Sequence, residues 1–217
     1  MFNLSSDGIK NIIEKEKELG NEIDVSYLIN SLSDLQEKVM MLARVIYHSD
    51  GHDHMEHGRK VGMIAKVTAE RLGCSKGESE VISLAAVLHD VGKIKIRPKI
   101  LNKPGKLTDI EYEEVKEHVA HGEGLIEDYF KSIARMVANH HERHDGKGYP
   151  KGLKGKDIPL ASRIISVSDC FDAMTTQRSY NTPKGKEEAI KELKKNAGTQ
   201  FDPKVVDAFV GVLKEMT

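Results

Sequence analysis

Apolar residues recur at intervals of three and four through most of the chain, and strict alternation of apolar and polar residues is hard to find over any useful length. That pattern predicts an all-α fold, with helices roughly at 5–19, 25–48, 53–72, 76–91, 108–129, 131–143, 159–176, 184–196 and 203–215. Start signals support the reading. Ser75 with Glu78 and Thr108 with Glu111 have the spacing of capping boxes, while Thr182-Pro183 and Asp202-Pro203 read as a cap followed by proline at the first helical position. Helix breakers cluster in two loops, Lys103-Pro104-Gly105-Lys106 and the run from Asp145 to Pro159, which holds Gly146, Gly148, Pro150, Gly152 and Gly155. Long ordered loops of this kind often carry function. Residues 1–50 form a charged helical stretch without chemistry-bearing motifs, so the expected division is an N-terminal helical extension at 1–50 and a chemistry-bearing domain at 51–217.

Composition narrows the function classes. A chain of 217 residues can bury a core large enough to enclose a pocket. Lys and Arg number 33 against 34 Asp and Glu, a formal charge of -1, which offers no global attraction to nucleic acid or an anionic membrane. An anionic substrate would need locally placed positive charge. The two cysteines, Cys74 and Cys170, lie far apart and suggest neither a disulfide framework nor a thiolate metal site. The N-terminus has no basic-then-apolar signal, and no window is apolar enough to span a membrane, so the expectation is a soluble cytoplasmic protein.

Ten histidines, gathered at 48–57, 89 and 118–144, change the picture. A lone buried histidine is usually a satisfied core residue, but here His57, His89-Asp90, His118, His140-His141 and Asp169 each fall on an expected helix or helix end among apolar neighbours. Buried polar groups must be paired or must bind something, since an unpaired one costs about 2–7 kcal/mol. Imidazole mixed with carboxylate, and no thiolate, suits iron, manganese, zinc or cobalt better than calcium or magnesium, with iron or manganese leading. Adjacent His140 and His141, placed on a helix, would project about 100° apart and serve two neighbouring ions. Asp90 can offer one oxygen to each of two metals roughly 3.5–4 Å apart, an arrangement that activates water for attack on phosphorus.

The motifs HDVGK at 89–93, ILNKPGKL at 100–107, HVAHG at 118–122, HHERHDGKGYP at 140–150 and RIISVSDCFDAMTTQRSY at 163–180 together resemble the HD-GYP subgroup of the HD phosphohydrolase superfamily. The resemblance runs from about His57 to Asp207 and implies an HD-type helical bundle with a Gly-Tyr-Pro loop. It implies metal ligands at His57, His89, Asp90, His118, His140, His141 and Asp169. Asp53, four residues before His57, stands where members with an acidic residue hold a third metal; that residue is typically Glu, one methylene longer. Lys93 matches the lysine that contacts the scissile phosphate, so Lys93 and Asp90 are the expected catalytic pair. Gly148 and Tyr149 match the loop motif, Arg178 matches an arginine poised for substrate phosphates, and Arg143 is a further candidate that either touches substrate or braces the loop. His48, His52, His54, His121 and His144 match no ligand position, although His52 or His54 could replace Asp53, and Asp172 is expected to orient a ligand. Two departures touch the substrate rim: the proline after Ile96 is displaced to Pro98, and Ser179 and Asn181 stand where Pro and Arg are common.

The function implied is a phosphodiesterase that opens cyclic di-GMP to pGpG, and onward to GMP, with water activated by two or three divalent ions, iron first and manganese second. The alternatives are another cyclic dinucleotide such as cyclic GMP-AMP, and a receptor that binds the messenger without turnover. A diguanylate cyclase domain is one conceivable protein partner, and a homodimer through the N-terminal helices one conceivable assembly; neither nucleic acid nor membrane is expected.

Overall fold

The computed structural model describes residues 5–19, 54–128, 130–177 and 182–216. Among them the secondary structure is helical, with no strand beyond an isolated bridge between Ala197 and Phe201. The helices, in chain order, are α1 (Ser6–Glu18), α2 (His54–Arg71), α3 (Lys76–Leu88), α4 (Pro98–Leu101), α5 (Asp109–Lys116), α6 (His118–Glu127), α7 (Lys131–Ala138), α8 (Leu160–Thr175), α9 (Lys186–Lys195) and α10 (Pro203–Glu215). Short 3-10 turns occupy Val91–Lys95 and Gly155–Asp157. The all-α expectation holds. None of these helices is long and apolar enough to cross a membrane.

Helix α3 is the central element. Val81, Ala85 and Ala86 are wholly buried on it and Leu88 nearly so, because α2, α7, α8 and α1 surround it. The α2–α3 crossing is close: a Cβ on Gly62 would lie 2.7 Å from Val87 Cγ2, and Ser83 Oγ donates across the gap to the Gly62 carbonyl at 2.8 Å. On the far side Phe209 of α10 meets Phe171 of α8 edge to face at 5.2 Å, a contact worth about 0.5–1.5 kcal/mol beyond its area. Helix α1 belongs to the same core through Ile12, and two carboxylates fasten it. Glu80 of α3 accepts from the Ser5 N–H and hydroxyl at 3.0 and 2.6 Å, and Glu16 of α1 accepts the Ser132 N–H at the start of α7 at 2.7 Å.

Both expected capping boxes form, at Ser75 with Glu78 and Thr108 with Glu111, and Asp202 caps α10 ahead of Pro203. Thr182-Pro183 does not open a helix: α9 starts at Lys186 with Gly185 as its cap. Three further boundaries differ, and all in one way. The helix expected to reach 91 stops at Leu88, the one expected to reach 143 stops at Ala138, and the one expected to run unbroken from 108 to 129 is interrupted after Lys116. The helix expected at 25–48 lies outside the described residues.

Candidate metal centre

Each of those three helix ends is followed by a histidine, and the chemistry of a helix terminus explains why. The last carbonyls of an α-helix have no intrahelical N–H to accept. His89 Nδ1 lies 2.7 Å from the Ala86 carbonyl, His118 Nδ1 2.5 Å from that of Val115, and His140 Nδ1 2.6 Å from that of Val137. A carbonyl only accepts, so each Nδ1 carries a proton and each Nε2 is turned the other way, into the site. All three Nε2 atoms are buried without a hydrogen-bond partner among the described residues.

These rings converge with carboxylates in two adjoining groups. Asp90, His118, His140 and His141 bring one donor atom each to within 4.8 Å of one another, and His57, His89 and Asp169 do the same. Asp90 lies between them: its Oδ1 is 3.5 Å from His118 Nε2, and its Oδ2 is 3.3 Å from His89 Nε2. The Lys93 ammonium donates to Asp90 Oδ2 at 2.6 Å. In the second group Asp169 Oδ1 is 3.2 Å from His57 Nε2 and 3.7 Å from His89 Nε2. Behind it, His57 Nδ1 is held at 2.6 Å by Asp172 Oδ2. Gly92 lets the turn after Asp90 seat against α6, where a Cβ would fall 1.9 Å from the His118 carbonyl oxygen.

Protonation follows from these surroundings. Burial pushes His118, His140 and His141 down, His141 to about 3, so all three are neutral at physiological pH. Burial opposes ionisation of Asp90 and Asp169, yet His89 and Lys93 around the first, and His57 and His89 around the second, hold both well below the usual carboxylate range. His57 behaves oppositely. Burial alone would lower it, but the hydrogen bonds to Asp169 and Asp172 outweigh that and push it up to about 9.

The loop that closes the site is pinned to its own start. A Cβ on Gly148 would meet Arg143 N at 2.3 Å and the His141 carbonyl oxygen at 2.5 Å, so only glycine fits there. Tyr149, joined to Pro150 by a cis peptide, stacks on the His141 ring with centroids 4.9 Å apart. Glu142, buried between His141 and Arg143, accepts from Lys151 N at 2.6 Å and Leu153 N at 3.0 Å and so ties the loop shut. Arg143 forks onto Asp145 at 3.1 and 2.8 Å.

His57, His89, Asp90, Lys93, His118, His140, His141, Gly148, Tyr149 and Asp169 therefore gather in one region, with Arg143 beside it on Asp145. Asp53, His48, His52 and Arg178 lie outside the described residues. His140 and His141 do not ride a helix, as the periodicity suggested; they follow its end, with ring centroids 4.0 Å apart. His121 lies 3.7 Å from Glu117, and His144 donates its backbone N–H to Gln200. Glu142 was invisible to sequence reasoning because a glutamate inside an expected helix looks like a solvated side chain. The three carbonyl partners leave no mark in side-chain identity at all.

The donor set fits divalent cations. Metal ligation requires neutral imidazoles and ionised carboxylates, with the second nitrogen of each ring fixed by a hydrogen bond. Here the buried Nε2 atoms lack other partners, the Nδ1 atoms are pinned, and the carboxylates are held ionised.

Known proteins show what the chain is similar to. The HD domain model matches residues 30–205. A cyclic di-GMP phosphodiesterase of Thermotoga maritima is 40% identical over 187 residues, which cover 84% of this chain and 50% of that protein. A 3'3'-cGAMP-specific phosphodiesterase 2 of Vibrio cholerae is 35% identical over 82% of this chain and 36% of its own length. The chain thus spans half or less of these relatives. In fold it is similar to Bd1817, an HDG"Y"P protein of Bdellovibrio bacteriovorus, with a TM-score of 0.60 and 21% identity over 74% of this chain and 52% of that one. With the paired His/Asp groups and the Gly-Tyr-Pro loop already in place, the match across most of its length settles the kinship: the chain belongs to the HD domain family.

Proposed function

We propose that the chain is a divalent-metal-dependent phosphodiesterase whose substrate is a cyclic dinucleotide, cyclic di-GMP before others. One observation carries the reading: three buried imidazoles with pinned Nδ1–H groups turn Nε2 atoms that lack a hydrogen-bond partner among the described residues towards Asp90 and Asp169, an arrangement whose burial cost ligation would offset. His118, His140, His141 and Asp90 would hold one ion, and His57, His89 and Asp169 a second, with Asp90 adjoining both groups. Asp53 is the candidate for a third. The set mixes imidazole and carboxylate without thiolate, which suits iron, manganese, zinc or cobalt, and iron is taken first and manganese second. Bound ions supply Lewis acidity to a phosphoryl oxygen and lower the pKa of water so that it attacks at neutral pH.

The chain's own residues do the rest. Asp172 holds the His57 ring through Nδ1, and the Ala86, Val115 and Val137 carbonyls hold the other three, so the ligands need no reorganisation when the substrate arrives. Lys93, anchored on Asp90, keeps a positive charge at the cluster to neutralise charge developing on the phosphoryl oxygens. In the reaction a water oxygen bonds to phosphorus, the bond to the ribose 3′ oxygen breaks, and the water proton ends on that oxygen, giving pGpG. Gly148 and Tyr149 form one wall of the substrate site and Arg178 is the candidate for the phosphates. Arg143, occupied by Asp145, braces the loop.

The first substrate is chosen on the Thermotoga relative, and the Vibrio relative favours cyclic GMP-AMP as the second. Anaerobic incubation of Fe(II)- or Mn(II)-loaded protein with each cyclic dinucleotide, followed by chromatography, tests the proposal. Appearance of pGpG or GMP from wild type, and not from His89→Ala/Asp90→Ala, supports it. Intact substrate with metal-replete wild type turns the reading towards a receptor.

A further inference from the structure

Beside Tyr149 lie two side chains that the chemistry above does not use, Lys116 and Tyr112. Helix α5 ends at Lys116, two residues before His118, and presents Tyr112 and Lys116 one turn apart on one face. The Lys116 ammonium lies 5.1 Å from the centre of the Tyr112 ring and 5.5 Å from that of Tyr149. Tyr149 in turn stacks on His141, at 27° between planes. The series His141, Tyr149, Lys116, Tyr112 therefore leads from the buried imidazoles to solvent, where Tyr112 is 48% exposed despite its size.

Two features separate this cluster from an ordinary surface group. A large aromatic ring left half in water offers a face on which a base can stack, and a cation beside it is suited to a phosphate. The Lys116 ion pair is with Glu113 at 2.7 Å, and Glu113 is 68% exposed on the same helix. An exposed pair of that kind is readily exchanged for a better anion. Neither the Tyr112 ring nor the Lys116 head is part of the hydrophobic core.

We propose that Lys116 and Tyr112 form a substrate-binding clamp at the rim, in which Lys116 pairs with a phosphate away from the cleaved bond and Tyr112 stacks a purine base. The proposal rests on the cyclic-dinucleotide reading, and it explains how a chain with a formal charge of -1 captures a dianionic ligand. Lys93 sits at the cleavage centre, and a dinucleotide ring carries a second phosphate that Lys93 does not serve.

The test measures affinity separately from chemistry. Binding of the non-hydrolysable bis-phosphorothioate of cyclic di-GMP to the Mn(II)-loaded full chain is followed by calorimetry for wild type, Lys116→Met, Lys116→Arg and Tyr112→Leu. Manganese content is measured on the same samples. Expected is a loss of about tenfold or more for Lys116→Met, a comparable loss for Tyr112→Leu, and recovery to within about threefold of wild type for Lys116→Arg, all with manganese retained. A Lys116→Met affinity within about twofold of wild type overturns the clamp, and so does a loss that tracks lost manganese, because Lys116 would then act through Tyr149 and His141 on the metal. Absence of binding by wild type overturns it as well. Turnover of cyclic di-GMP is read separately: Lys116-dependent binding without hydrolysis upholds the clamp and removes the hydrolase reading.

Discussion

At the scale of single residues, the sequence showed which side chains could ligate a metal but not what makes them able to. Histidine and aspartate clustering pointed to His57, His89, Asp90, His118, His140, His141 and Asp169, and the fold brings these together. The feature that fixes the tautomers is main-chain carbonyl geometry, which no residue identity encodes. His57 gives the most specific consequence. Its pKa of about 9 means that the metal-free ring is protonated at pH 7.5, while ligation requires its Nε2 lone pair. Metal binding at that pH should therefore release about one proton per chain from His57, while His118, His140 and His141 contribute little because burial already holds them neutral. Calorimetry in buffers of different ionisation enthalpy reads the number; a buffer-independent heat would contradict the protonated His57. Lys93→Ala should keep its metals and lower kcat by about a hundredfold, as loss of a transition-state charge partner does. Elemental analysis and steady-state kinetics check both halves, and a wild-type kcat would remove Lys93 from the mechanism.

At the scale of elements, three of the helix boundaries that periodicity misjudged are the ones that present His89, His118 and His140. The apolar repeat in LAAVLHDVGK runs on into the His-Asp pair, so nothing in the pattern says the helix must stop at Leu88. It stops where an imidazole takes over the Ala86 carbonyl. Capping boxes were legible because their signal lies in side chains; the end of α7 and the break after Lys116 were not, because their signal lies in a tertiary destination for the ring. The Gly-Tyr-Pro loop was legible as a loop, and its fastener was not. Glu142→Ala removes the acceptor of two loop N–H groups and should cost about 2 kcal/mol of stability, together with a raised KM from a displaced Tyr149. Thermal unfolding and kinetics on the metal-loaded protein would read these, and an unchanged melting temperature would show that the loop holds without Glu142. Gly92→Ala should be more severe, because its methyl would collide with main-chain atoms of α6. Lost metal with a lowered melting temperature is the expected result.

For the whole molecule, one helical core carries both the site and α1, whose Glu16 caps the helix that leads into His140 and His141. The site's titration should therefore appear in global stability. His118, His140 and His141 have folded pKa values below the ordinary histidine value near 6.5, so their contribution is present above about pH 6.5 and is lost as pH falls, down to about 3 for His141. The folded pKa of His57 is raised, so its contribution is present below about pH 6.5 and is lost as pH rises through about 9. Metal-free protein should accordingly show a melting-temperature maximum near pH 6.5, and added Mn(II) should remove the alkaline decline. A metal-free profile that keeps rising to pH 9 would contradict the assignment of His57. The central claim, that these seven side chains hold divalent ions, is tested most directly by elemental analysis of protein purified anaerobically, wild type beside His140→Ala and Asp90→Ala. The account predicts two or three ions of iron or manganese per wild-type chain and loss of at least one in each variant; full metal content in both variants would contradict it.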